Sequence, residues 1–405
     1  MSTLNSKQQK FLDVVTAGTE TSLLTGEGGT GKSFLTDALC QRFPTSNIAL
    51  TATTHKAAAN LHKMTNLEAR TVHSVLGWTM QPNQMTREYE LVKTRAPDFA
   101  PSYPLQLLVV DEVSMLPACI YDDIMAYLED GSIGQAVFIG DPIQLEAVED
   151  GVSKETIEQD VDYQIELTEQ MRFKDVDEAT TAYLSALRNA IETNNDRGFI
   201  SLPEDSRAIK VVDSFKEFAH LYKTTQEKKK IIAYRNKIVE KYNFTINGKH
   251  AFAPGDEVII DTPIPEMGVH NGYTLEVAKC EEKDNFYLVS LTDGRGVFEV
   301  MHWKSRARLK KILDAYAKDK NWNDFWELKD RSMWLKHKYS CTVHKSQGST
   351  YNTVFIDGKD LLSAYRDGIL SMPQFNRLLY VAMSRMSHEV IIFTGSKRKY
   401  DKLKP

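Results

Sequence analysis

No stretch of this chain approaches the ~20 consecutive apolar residues that a membrane-spanning helix needs. Its apolar runs are short, and the one from Leu105 to Val110 already contains Gln106. The first residues, Met1 to Lys7, lack the apolar stretch of a secretion signal. Cysteine is scarce and scattered: Cys40, Cys119, Cys280 and Cys341 share no paired spacing. That excludes a disulfide framework and a cysteine-built zinc site, and it fits a reducing cytoplasm, the compartment expected. There is no short-period repeat and no low-complexity tract. Nor is there an excess of positive charge. The formal net charge is −5, which by itself weighs against a nucleic-acid partner. Basic residues do gather from Lys304 to Lys311, from Lys336 to Lys345 and from Lys397 to Lys404, and each run taken alone reads as a solvated face. No late acidic cluster could serve a two-metal nuclease.

What is present is a repeated alternation. With 405 residues the chain exceeds what one core usually organises, so two or more domains are expected. A first helix reads from Ser6 as cap, with Gln9 completing a capping box, an apolar stripe of Phe11, Leu12, Val14 and Val15, and Gly18 as its stop. Short apolar strands follow at 22–25, 47–51, 107–110 and 136–139. Helices are expected at 33–43, stopped by Pro44, and at 54–64. A second series has strands at 231–233, 354–356 and 390–393. Strands alternating with helices imply parallel sheets covered on both faces, hence two α/β domains. Between 247 and 303 the pattern changes to short strands separated by turns, which suggests a small β-barrel inserted in the second domain. The polar stretch 79–104 is long for a loop and reads as a functional insertion or a disordered excursion.

Gly26-Glu-Gly-Gly-Thr-Gly-Lys-Ser33 matches G-x-x-x-x-G-K-[ST] in full, after a strand and at the start of a helix. Glycines let backbone N–H groups wrap phosphates, and the helix N-terminus adds partial positive charge. Lys32 would reach the β- and γ-phosphates of ATP, and Ser33 would ligate Mg²⁺. The run Leu107-Leu-Val-Val-Asp-Glu112 supplies the acidic partner at a strand's C-terminal end. Asp111 is expected to hold Mg²⁺, directly or through water, and Glu112 to orient and deprotonate the attacking water. Gln144, in Phe138-Ile-Gly-Asp-Pro-Ile-Gln144, could sense the γ-phosphate; Gly-Asp-Pro alone is more often a plain turn.

In chain order these segments are Gln8, Gly26 to Ser33, Thr51-Ala-Thr-Thr-His-Lys-Ala-Ala58, Thr71-Val-His-Ser74, Asp111-Glu-Val-Ser-Met115 and Gly140-Asp-Pro-Ile-Gln144. Leu167-Thr-Glu-Gln-Met-Arg172, Thr342-Val-His-Lys-Ser-Gln-Gly-Ser349 and Tyr380-Val-Ala-Met-Ser-Arg385 complete the series. Together they resemble the superfamily 1 DNA helicases, and within them the RecD-like branch, nearly end to end. The resemblance implies two RecA-like parallel-sheet domains, a pin-like insertion and an SH3-like β-barrel. Its boundaries would be 1–165 with the pin at 77–105, then 166–246 with 335–405, and 247–334 inserted. It implies ATP and Mg²⁺ as cofactors and 5′ to 3′ movement on single-stranded DNA.

The same resemblance assigns nucleotide contacts to Gln8, Gly26, Gly28, Gly29, Thr30, Gly31, Lys32, Ser33, Gln347 and Gly348. Gln8 would read the adenine edge, and Gln347 would couple ATP to DNA. Arg172 and Arg385 would reach the γ-phosphate, with the planar guanidinium donating to two oxygens. Some members stack an aromatic on adenine just before the first of these arginines; here that residue is Met171. Thr54, His55, Thr71, His73, Ser74, Thr342, His344 and Lys345 would line the DNA track. The wedge is expected within 79–104, with Tyr89, Leu91 or Phe99 stacking on the first base pair. Trp322, Phe325 and Trp326 would brace DNA or pin, or simply pack the insertion's own core.

The partners implied are single-stranded DNA and forked duplex, with single-stranded-DNA-binding protein and replication or recombination proteins beside them, for a monomer in a host cytoplasm. Two other readings of the same residues stand open. One is a DNA-stimulated ATPase that displaces proteins with little unwinding. The other is a nucleotide-dependent binding switch, which Glu112 and the arginines argue against.

Overall fold

The structure is a computed structural model that describes residues 4–141, 143–144, 151–170, 176–194, 199–247, 252–260, 274–284, 286–294, 296–301, 306–331 and 335–395. The chain divides into two compact units. One holds Met1–Thr79, Leu91–Ile232 and Val343–Pro405; the other holds Met80–Glu90 and Ala233–Thr342.

Helix α1 (Ser6–Thr16) is capped by Asn5, whose side chain accepts from Gln8 N–H while the Gln8 side chain accepts from Asn5 N–H. The capping box is therefore Asn5 with Gln8, one position earlier than the Ser6 and Gln9 expected, because Ser6 already has helical backbone. Strand β1 (Thr21–Gly26) leads into α2 (Lys32–Cys40), β2 (Ile48–Ala52) into α3 (His55–Thr65), and β3 (Ala69–Thr71) into the short α4 (Val72–Leu76). Thr54 caps α3 and Thr71 caps α4, each hydroxyl accepting a backbone N–H three residues on. The polar segment read as a functional insertion or a disordered excursion carries an ordered hairpin, β4 (Trp78–Asn83) and β5 (Glu88–Lys93). The Asn83 carboxamide closes its turn by accepting from the N–H groups of Met85 and Thr86. At its base Asp123 accepts from Trp78 Nε1 and Lys93 Nζ, both at 2.7 Å.

Strand β6 (Leu107–Asp111), α5 (Ala118–Glu129), β7 (Ala136–Gly140), α6 (Lys154–Asp160) and β8 (Tyr163–Leu167) finish the first sheet. Its order is β3-β2-β6-β7-β1-β8, and every neighbouring pair is parallel. Leu107 to Val110 and Ala136 to Ile139 are buried, since helices cover both faces. Alternate residues feed two cores: Leu107 and Val109 pack with Phe11, Leu35 and Leu61, while Leu108 and Val110 pack with Val72, Ile120 and Phe138. Each such side chain contributes ~1.5–3 kcal/mol on burial.

Helix α7 (Glu178–Glu192) is followed by β9 (Ile209–Val212), α8 (Phe215–Thr224), β10 (Lys229–Ala233) and α9 (Asn236–Asn247). The second unit then takes up β11 (Glu257–Ile260), β12 (Thr274–Glu282), β13 (Phe286–Leu291), β14 (Val297–Met301), α10 (Arg306–Lys318), α11 (Trp322–Arg331), β15 (Leu335–His337) and β16 (Ser340–Thr342). There β14-β13-β12-β11-β15 form an antiparallel sheet around Val258, Val277, Val289, Phe298 and Leu335. The chain returns through α12 (Val343–Ser346), β17 (Tyr351–Asp357), α13 (Gly358–Arg366), α14 (Met372–Met383) and β18 (Met386–Phe393). Strands β10, β17, β18 and β9 are successive parallel neighbours. Both parallel sheets thus carry their loops at strand C-terminal ends, where α/β folds bind ligands.

Candidate nucleotide and nucleic-acid site

The turn from β1 to α2 is built to receive an anion. Gly29 and Gly31 have φ of 97° and 86°, left-handed backbone that side chains avoid. A Cβ on Gly31 would lie 2.7 Å from Gln8 Nε2, so Gln8 sits directly against the loop. Gly31 caps α2 without any side-chain hydrogen bond, leaving the amides of its first turn to a ligand. Thr30 is buried and its hydroxyl donates to Glu27 O at 2.9 Å. Lys32 Nζ donates to Gly26 O at 2.5 Å and Glu27 O at 2.8 Å. The ammonium thus lies over the loop's own carbonyls. Gly28 and Ser33 complete the turn, each half-buried.

Asp111 ends β6 near this charge. Burial first, and then the negative charge of Glu112, push its carboxyl up to about 7, while the Lys32 ammonium draws it down. Glu112 has φ 57° and ψ 44°, a left-handed conformation costing about 1–3 kcal/mol for a side-chain-bearing residue. Asp141, at the end of β7, is fully buried and accepts from Ile143 N–H at 3.2 Å and Gln144 Nε2 at 3.3 Å. Gln144 Oε1 and both polar atoms of Gln347 are buried without a hydrogen-bond partner among the described residues. An unpaired buried amide costs about 1–3 kcal/mol, so these groups fit a polar ligand that would satisfy them. The glycine cradle, Lys32 and these amides suit a magnesium triphosphate, for whose metal Ser33 and Asp111 would be the oxygen donors.

Segment 344–349 comes to the same place. A Cβ on Gly348 would lie 3.7 Å from Asn60 Nδ2 and 3.8 Å from Glu112 Oε1. Helix α3 reaches this segment through Lys56 Nζ to Lys345 O at 2.9 Å and Asn60 Nδ2 to Gly348 O at 2.7 Å. His55 is exposed and His73 half-buried; burial first, then the charge of His55, hold His73 below the ordinary imidazole range. Burial does the same to His344. The Ser74 hydroxyl accepts from Arg70 at 2.9 Å. Thr54 and Thr71 spend an oxygen lone pair on capping and keep an O–H that can donate to a phosphate. Thr342 is buried at the end of β16.

The expected arginines fare differently. Arg172, with Met171, lies outside the described residues. Arg385 is buried at the end of α14, with Nε donating to Val381 O at 3.1 Å and one terminal nitrogen to Ser384 Oγ at 2.9 Å. Among the described residues, the arginine whose contacts reach the phosphate loop is Arg188, 3.5 Å from Glu27. The sequence reading missed it, though the signal was there: a lone arginine within the buried stripe Tyr183, Leu184, Leu187 and Ile191 of α7.

Among the wedge candidates, Phe99 is buried against Tyr127 and Leu91 packs on the core of Val72, Ile120 and Phe138, because the return segment folds onto α5. Neither is placed to meet a base pair. Tyr89 packs edge-on to Trp326 at 4.9 Å, and Lys329 donates to Arg87 O at 2.7 Å. Trp322, Phe325 and Trp326 pack on one another in series. Of the basic runs, Lys397–Lys404 and part of Lys304–Lys311 lie outside the described residues, and Lys338 pairs with Glu257.

The family described as AAA domain matches residues 3–205, half of the chain, and a UvrD-like helicase C-terminal domain matches residues 337–393. The ATP-dependent DNA helicase Dda of Enterobacteria phage T4 is 25% identical over 91% of this chain and 93% of its own. The ATP-dependent RecD2 DNA helicase of Deinococcus radiodurans is 33% identical over 37% of this chain and 19% of its own length. Among solved structures, Pif1 helicase from Bacteroides, in complex with ADP-AlF3 and single-stranded DNA, is similar over 100% of this chain and 95% of its own. The TM-score is 0.55 and the identity 16%, which speaks for the fold alone.

Proposed function

The chain belongs to the AAA domain family and is a superfamily 1 helicase related to Dda and RecD2, and we propose that it hydrolyses ATP to move 5′ to 3′ along single-stranded DNA and to open forked duplex. The observation that carries the reading is Gly348 lying beside both Asn60 and Glu112. It gives the segments proposed to hold DNA a direct physical route to the residue proposed to activate water.

In this reading Lys32 and the amides of Gly28 to Ser33 hold the phosphates, and Gln8 faces the base. Gln144 and Gln347 take up hydrogen bonds to the nucleotide. Ser33 and Asp111 would hold Mg²⁺, which would neutralise charge on the phosphate oxygens. Glu112 takes the proton of the attacking water. Arg172 and Arg385 meet the γ-phosphate when the sheets close on it. Thr54, His55, Thr71, His73, Ser74, Thr342, His344 and Lys345 contact backbone or bases of the DNA. Closure on ATP and opening after hydrolysis alternate the two grips.

The parallel sheets stand as RecA-like domains with the boundaries read from the sequence. The antiparallel sheet stands as the SH3-like insertion and the β4–β5 hairpin as the pin. Its wedge is Met85, the turn residue that is 94% exposed, in place of Tyr89, Leu91 or Phe99. In this reading the chain is a monomeric phage protein acting in the host cytoplasm beside single-stranded-DNA-binding protein, in replication or recombination; the likeness to the DNA helicase Dda of a phage supports its phage origin.

The test is unwinding of a fork bearing either a 5′ or a 3′ tail, with ATPase measured in parallel. Opening only with the 5′ tail is expected. Lys32→Ala should abolish turnover without unfolding the chain. DNA-stimulated turnover without opening of either fork would select the protein-displacing ATPase. Turnover indifferent to DNA would end the motor reading, and retained turnover in Lys32→Ala would remove Lys32 from the phosphate role.

A further inference from the structure

Arg188 is buried to within 8% of full exclusion from solvent, yet it meets carboxylates from three other elements. Its guanidinium lies 3.3 Å from Asp141 at the end of β7, 3.0 Å from Glu166 in β8 and 3.5 Å from Glu27 in the phosphate loop. Glu192, one turn further along α7, is at 3.2 Å, and the Tyr380 hydroxyl of α14 lies beside the guanidinium. Two of these contacts bear on the ATP site. Glu27 is clamped on both oxygens, by Arg188 on one and by Gln170 Nε2 at 3.2 Å on the other, and its backbone carbonyl is the one that Lys32 and Thr30 donate to. Asp141 holds the amide of Gln144, whose Oε1 has no partner among the described residues.

A planar fork of five donors can serve several acceptors in different directions, and a lysine ammonium cannot span them. Asp141 is wholly buried, and a buried carboxylate left without its cation is strongly destabilised. Arg188 therefore sets where Glu27 and Asp141 sit. Its contact with Tyr380 makes that setting depend on α14, the helix that leads into Arg385.

We propose that Arg188 is a positioning residue for ATP hydrolysis: it holds the phosphate loop through Glu27 and Gln144 through Asp141, and ties both to α14 through Tyr380. This rests on the hydrolytic reading above, for which loss of turnover in Lys32→Ala is the separate check. Changing Arg188 removes neither the loop amides nor Lys32, so binding of the diphosphate survives while the finer geometry that hydrolysis needs does not.

The experiment compares Arg188→Lys, Arg188→Met and Tyr380→Phe with the unaltered chain. It measures DNA-stimulated kcat, the affinity for a fluorescent ADP analogue, and the thermal midpoint. The expected result is a fall in kcat of about tenfold or more for both Arg188 variants and about threefold for Tyr380→Phe, with ADP affinity within about threefold throughout. Arg188→Lys should keep a near-normal midpoint while still losing kcat. If Arg188→Met fails to fold, the lysine and phenylalanine variants decide. Parallel loss of kcat, ADP affinity and midpoint that lysine restores in full would mark a merely structural residue and overturn the proposal. So would kcat within about twofold of the unaltered chain in Arg188→Lys and Tyr380→Phe.

Discussion

The side-chain amide of Asn60 donates to the carbonyl oxygen of Gly348 at 2.7 Å, so α3 is fastened to the turn that follows α12. Gly348 has φ 66°, and its carbonyl direction depends on that left-handed turn. In the proposed mechanism DNA held by His55 and His344 acts on Glu112 through this fastening. Losing a hydrogen bond to a half-buried carbonyl costs about 1–3 kcal/mol. Asn60→Leu should therefore lower the ratio of DNA-stimulated to basal ATPase about fivefold or more. The two rates, measured with saturating oligothymidylate and without it, check this; an unchanged ratio would show that the signal takes another route.

Glu112 stores backbone strain where chemistry is proposed. Its φ of 57° suits asparagine or glycine far better than glutamate. Glu112→Asn should lose turnover about 100-fold or more, having no carboxylate to take a proton. It should also melt at the same temperature as the unaltered chain or higher, because the strain of about 1 kcal/mol or more is relieved. Calorimetry alongside ATPase assays tests both. A clear drop in the melting midpoint would mean that the Glu112 side chain stabilises the fold, against the strain argument.

Much of this site was legible because its physics is local. A glycine turn before Lys32 and Ser33, or an apolar run ending at Asp111, forms within a few residues, and the sequence carries the complete instruction. The parallel sheets followed for the same reason, from apolar runs of strand length. The β4–β5 hairpin did not, because its strands alternate only weakly and are exposed along most of their length; its order comes from Asn83 in the turn and Asp123 at the base. Asn5 was overlooked as a cap because Ser6 beside it has equal capping propensity. Arg188 was missed since its carboxylate partners lie 22 to 161 residues away, apart from Glu192 on its own helix, and no spacing rule links them.

Two imidazoles give the fold a pH dependence. His73 and His344 are both held below the ordinary histidine range by burial. In the unfolded chain each takes up a proton as pH falls through about 6.5; in the folded chain each resists until lower pH. The unfolded state thus binds more protons in that window, so stability rises with pH there and is lost as pH falls from about 6.5 toward the folded values. The Asp111 carboxyl, pushed up to about 7, adds the opposite slope in the same window, so the check is comparative: between urea midpoints at pH 7.5 and near 5.5, His344→Asn should lose less stability, or gain more, than the unaltered chain. An identical pH dependence in that variant would take His344 out of the account.

The hairpin separates its own bracing from the wedge role that Tyr89, Leu91 or Phe99 was expected to fill. Tyr89 is committed to Trp326, and Lys329 lies 4.8 Å from the centre of the Trp326 ring and bonds Arg87 O, so these groups hold the hairpin in shape. Met85, at the turn, is 94% exposed and has nothing to hold. A flexible thioether suits the end of a stacked duplex because it can cover either base of a pair. Met85→Asp puts a charge against the phosphate-rich fork and should slow unwinding about tenfold while single-stranded-DNA-stimulated ATPase stays within about twofold. Tyr89→Ala should slow unwinding too, but with increased amide exchange over Met80–Glu90, since it loosens the hairpin instead of blunting it. Unwinding at the normal rate in Met85→Asp would mean that the turn does not meet the fork, and strand separation would then have to be sought elsewhere in the chain.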